Sequence, residues 1–107
     1  MKKLLFLLVP AGLIVGACAQ SPDAIEPVSM GGAFDHLSCR QASDMAALER
    51  DRLATLYKAQ KAAVAGDALG VFLIGVPTAS LTGADKAGDI AAAKGKMLAL
   101  DARLTGC

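Results

Sequence analysis

The sequence predicts an all-α protein: an antiparallel, coiled-coil-like two-helix hairpin with a long apolar turn, preceded by a signal peptide and a flexible tether. Three observations predict it. Two Ala-rich stretches, Asp35 to Ala65 and Gly83 to about Leu104, carry residues at alternating three- and four-residue steps. Cys39 and Cys107 each terminate one of those seams. A cationic, then apolar, leader ends in a third cysteine, Cys18.

Residues 1–17 read as a secretory leader. Met1-Lys2-Lys3 is followed by an apolar run from Leu4 to Val15 and by the small residues Gly16 and Ala17. As a helix the run rises only about 18–22 Å, short of the ~30 Å hydrocarbon layer, so a permanent span is disfavoured. Val15-Gly16-Ala17-Cys18 resembles a bacterial lipobox. That resemblance implies cleavage before Cys18, acylation of Cys18 and a stable tether, because two or more acyl chains hold where one is marginal. Ala19, in place of the Asp that retains such proteins at the inner membrane, points to the outer membrane facing the periplasm. Without Lys2 and Lys3 the remaining chain has 9 basic and 10 acidic residues.

Residues 18–34 read as the lipidated N-terminus and a flexible linker, mixing Pro22, Pro27, Gly31 and Gly32 with polar residues and no sustained period. Fifteen such residues reach roughly 20 Å.

Residues 35–107 form the helical hairpin domain. In the first helix Asp35 is the expected N-cap and Gly66 the expected stop. Its seam is Cys39, Ala42, Ala46, Glu49, Leu53, Leu56, Gln60 and Ala63. The second helix opens on Thr82-Gly83-Ala84-Asp85, a capping-box spacing, and its seam is Ile90, Ala93, Met97, Leu100, Leu104 and Cys107. An antiparallel register with Cys39 beside Cys107 sets Ala42 against Leu104, Ala46 against Leu100, Leu53 against Ala93 and Leu56 against Ile90. Glu49 and Gln60 interrupt this seam and are expected to turn sideways to water.

With Cys18 assigned to lipid, Cys39 and Cys107 remain as an even pair in an oxidising compartment, the expected disulfide. A two-helix core is marginal by burial alone, and closing this loop contributes about 4 kcal/mol in the chain-entropy model. Zinc ligation by His36, Cys39 and Cys107 lacks a fourth ligand, and a Cys–His nucleophile lacks an orienting group. No metal and no cofactor is expected.

Between the helices, Gly66 to Thr82 is far longer than a hairpin needs. Its centre, Val71, Phe72, Leu73 and Ile74, would contribute about 6–12 kcal/mol if fully buried. Such a segment packs on its own helices, pairs with a second copy, or meets a membrane or a partner groove. It is too short to span a bilayer.

The helix, the Gly-Val-Phe-Leu-Ile-Gly-Val-Pro turn from Gly70 to Pro77, Lys94-Gly95-Lys96 and the closing Cys107 together resemble a group of small proteobacterial lipoproteins. The resemblance covers Cys39 to Cys107. It implies an envelope location and a cysteine-clamped helical hairpin, and it brings no catalytic residues.

Composition narrows the function classes. The 107 residues carry 11 Lys plus Arg against 10 Asp plus Glu, one His and no Trp. That lacks both the basic face of a nucleic-acid binder and the usual acid/base side chains. The expected function is a membrane-anchored, non-enzymatic structural or interaction module of the bacterial envelope. Its apolar turn, Val71 to Ile74, is offered to an envelope protein or to a second copy. The alternative is a membrane-active protein whose turn inserts into or bridges envelope membranes.

Overall fold

A computed structural model describes residues 18–107; residues 1–17, expected as a leader, lie outside the described residues. A single 3-10 turn, Pro22–Ala24, precedes three α-helices: α1 (Cys39–Ile74), α2 (Thr78–Leu81) and α3 (Ala87–Leu104). The described residues contain no strand. Helices α1 and α3 run antiparallel, as the seam spacing predicts, and the Cys39–Cys107 disulfide joins their outer ends with the Cα atoms 5.9 Å apart.

The start and stop of α1 both differ from expectation. Ser38, not Asp35, is the N-cap: its hydroxyl accepts from the Gln41 N–H, and the Gln41 side chain accepts from the Ser38 N–H. This reciprocal pair satisfies two donors of the first turn, which Asp35 is too distant to reach. Gly66 does not end the helix. α1 continues to Ile74 and stops at Gly75, whose φ of 76° is left-handed and whose N–H donates to the Val71 carbonyl. The seam explains the extension, because Asp67 and Gly70 keep the alternation of steps beyond Ala63 and are buried with it. The expected seventeen-residue turn is therefore mostly helix, and only a short connection around α2 remains. Nor do Thr82 and Asp85 form a capping box. α3 starts at Ala87, where Asp85 Oδ1 accepts the Ala87 N–H.

The core is thin and made largely of alanine. Ala42, Ala46 and Ala63 on α1 are buried with Ile90, Ala93 and Leu100 on α3. Ala42, Ala46 and Leu100 form a cluster closed by Phe34, Leu37, Met45, Met97 and Leu104, consistent with the expected register at that end. Leu53 and Leu56 are only half-buried. The seam's two flaws behave differently from expectation. Gln60 is fully buried. Glu49 turns inward enough to pair with Lys96 Nζ at 3.5 Å, with Arg52 at 3.9 Å.

Residues 18–34, expected as a flexible tether, are instead a strap laid along both helices. Pro22 and Ile25 are buried. The Val28 N–H donates to the Ala91 carbonyl at 3.0 Å, and Gly95 lets the strap approach because a Cβ there would collide with the Val28 carbonyl. Lys94 Nζ donates to the Pro22 and Ile25 carbonyls, both at 2.7 Å, from a position 5.4 Å from the centre of the Tyr57 ring. Farther along, Arg103 Nε donates to the Leu37 carbonyl at 2.8 Å. A Pro- and Gly-rich segment has no period of its own, yet here helix side chains satisfy its carbonyls one by one. The result is a slab of 61 × 28 × 17 Å, with the strap bonded to both α1 and α3.

Candidate functional site

The strap runs opposite to α1, so the chain's lipidation candidate, Cys18, and the end of α1 meet at the same end of the molecule. Asp67 makes that meeting. It lies on the seam face of α1 and is 1% exposed. Its carboxylate accepts from the Ala19 N–H at 2.7 Å, from the Ser80 N–H at 2.7 Å and from the Ser80 hydroxyl. Burial pushes its pKa up. The Ser80 hydroxyl and the backbone N–H groups of Ala19, Ser80 and Ala79 outweigh that and hold the carboxyl below its ordinary value. Asp67 is therefore a charged hub that ties the strap, α1 and α2 together.

Two glycines make room for α2. Cβ atoms at Gly66 and Gly70 would press on Ala79 and would collide with Thr78 and the Val76 carbonyl, respectively. Thr78 Oγ1 donates to the Gly66 carbonyl at 3.3 Å, and Pro77 is buried behind the turn. About two turns below Asp67 on the same face, Gln60 forms a second hub. Its Oε1 accepts the Lys86 N–H at 2.6 Å, while Nε2 donates to the Gln20 carbonyl at 2.8 Å and to Asp85 Oδ1 at 2.9 Å. Gln60 thus serves the entry to α3 and the strap simultaneously, leaving its buried amide satisfied.

Beyond Asp67 the end of the rod is apolar. Residues 68–84 contain no charged side chain. Val71, Phe72, Leu73 and Ile74 are 37%, 85%, 65% and 66% exposed. With Leu69 and Leu81 they supply six of the nine large apolar side chains that stand exposed among the described residues. Docking of α2 covers the Gly face of α1 and leaves these outward, so local packing does not bury them. Cys18 is half-buried at the strap's start. Cys39 and Cys107 sit at the opposite end, bonded to each other, so neither sulfur is a thiolate there.

The sequence points to the Cys39–Cys107 pairing, which the structure brings together, but not to Gln60, Asp67 and Gly95 as fixtures of the opposite end and the strap. The signal for the first two was present: a polar residue on an otherwise small and apolar seam is either turned out or fully partnered. Among the described residues no three His, Cys, Asp or Glu side chains gather as a metal site, and no helix is long and apolar enough to cross a membrane. A recess of about 260 Å³ between residues 27–31 and Leu98, Ala99 and Ala102 contains no ionisable side chain. Comparison with family models, with curated proteins and with solved structures finds no match to this chain.

Proposed function

We propose that the chain is a lipid-anchored, non-enzymatic module of the bacterial envelope, held at the outer membrane by acylated Cys18, whose rigid helical rod is displayed on the periplasmic side. The observation that carries this reading is the bond from the Ala19 N–H to buried Asp67. Cleavage before Cys18 leaves that amide intact, so lipid on Cys18 would be coupled through one residue to the body of the rod. A flexible tether would let the domain wander, whereas this clamp fixes its orientation to the anchor. Strap, disulfide and helices form one framework, which supports display or spacing.

The alternative in which the turn reaches a facing membrane or a distant partner requires the strap to leave Asp67, since the clamp keeps Cys18 at the turn's end of the rod. The anchoring reading is tested by mass spectrometry of the native protein from membranes. The expected result is an N-terminal peptide that begins at acylated Cys18, with Cys18→Ser moving the protein out of the membrane fraction. An intact leader, or a released protein with unmodified Cys18, would overturn it.

A further inference from the structure

We infer that the apolar end of the rod enters the same membrane leaflet that holds the Cys18 acyl chains, so that the molecule stands on two contacts with its disulfide end outermost. The inference rests on the anchoring reading above and adds a second membrane contact to it. Its basis is the shared location of three features. Ala19 is fixed to Asp67. From Asp67 the helix continues to Ile74, a projection of about 10 Å. Along that projection the exposed large apolar side chains are Leu69, Val71, Phe72, Leu73 and Ile74.

With the Cys18 sulfur at headgroup level, a projection of about 10 Å brings Phe72, Leu73 and Ile74 to the boundary of the acyl chains, the depth at which interfacial apolar faces settle. The chemistry of the segment suits that place. α1 carries its own backbone hydrogen bonds to its end, where Gly75 closes the last turn on Val71. The Asp67 carboxylate stays charged but is buried, with the Ala19 and Ser80 N–H groups donating to it. The first exposed charge after the tip, Asp85, follows an uncharged stretch from residue 68 to residue 84. A lone lipid leaves a rod free to tilt. A second contact about 10 Å deeper restricts that tilt and directs the Cys39–Cys107 end outward, α1 alone rising about 54 Å.

The chain has no Trp, so a single substitution gives an unambiguous reporter. Phe72→Trp and, as a control farther down α1, Leu48→Trp both replace exposed side chains. Each full-chain protein is purified with its native modification and reconstituted in phosphatidylethanolamine–phosphatidylglycerol vesicles, with and without brominated acyl chains. Mass spectrometry of the same samples reports Cys18. The expected result is an acylated Cys18, a blue-shifted Phe72→Trp emission that loses most of its intensity to brominated lipid, and a Leu48→Trp emission that stays unquenched. An acylated Cys18 with an unquenched Phe72→Trp overturns this inference alone. Equal quenching at both positions also overturns it, because the rod then lies flat. An unmodified Cys18 overturns the anchoring reading together with it.

Discussion

At the Cys39–Cys107 end, alanines of α1 face large residues of α3, and Phe34 of the strap and Leu37 just after it close the cluster from outside. At the other end the seam holds Gln60, Asp67 and Gly70, and the large apolar side chains point away from it. The first end is stabilised by burial and a covalent bond; the second is fixed by directed hydrogen bonds to a strap and a short helix. Polar fixtures define one geometry at the tip while leaving Val71, Phe72, Leu73 and Ile74 available. If those side chains formed the core, the rod would gain stability and lose its exposed end.

The largest expected effect separates the ends by removing the disulfide. Cys107→Ser, or reduction of the native protein, should lower stability by about 4 kcal/mol through the longer reach of the unfolded chain. Thermal melting followed by circular dichroism, with and without reductant, checks this. Exchange-protected amides near Asp67 should outlast those near Cys39 in the reduced protein, and the reverse order would break the comparison.

Next is the tip's hub. Asp67→Ala leaves the Ala19 and Ser80 donors without their acceptor, an expected loss of about 3 kcal/mol. Hydrogen exchange should then rise at Ala19 and Ser80 before it rises at Ala42. The pH dependence has a definite sign. The folded pKa of Asp67 lies below the unfolded value of about 3.9, so its contribution is complete above that value and disappears as pH falls through the folded pKa. Native protein and Asp67→Asn should therefore differ in melting temperature at neutral pH and converge in acid. A gap that widens on acidification would contradict the charged hub.

The smallest effects have opposite signs at two helical glycines. Gly70→Ala brings a methyl onto Thr78 and the Val76 carbonyl and should destabilise by about 1–2 kcal/mol despite its better helix propensity. Gly88→Ala meets nothing within 4 Å and should stabilise by up to about 1 kcal/mol. Denaturant titration of both variants sharpens the contrast between a glycine that makes room and one that is only tolerated.

Residue spacing made much of this legible. The alternation of steps gave both helices and their direction, and cysteine placement gave the pairing, because periodicity and loop closure are properties of order along a chain. Gly66 looks like a helix stop because glycine is a common one, although Asp67 and Gly70 continue the seam. Glu49 and Gln60 look solvent-facing in the sequence because two helices alone leave their shared seam half open. Instead the strap and the entry to α3 partner Gln60, and Lys96 of α3 partners Glu49. The strap itself was illegible: a segment with no period declares its place only when Lys94, Gln60, Asp67 and Arg103 present donors and acceptors to its backbone.

By itself the sequence determined an all-helical hairpin closed at one end by Cys39 and Cys107, since apolar period and cysteine positions need no knowledge of neighbours. Only the tertiary structure decided that α1 continues through the apolar segment, that residues 18–34 are bound along the helices, and that Ala19 meets Asp67. Those outcomes depend on distant groups satisfying one another's hydrogen bonds and on close approach at Gly66, Gly70 and Gly95, and such pairings are set by space and not by sequence order.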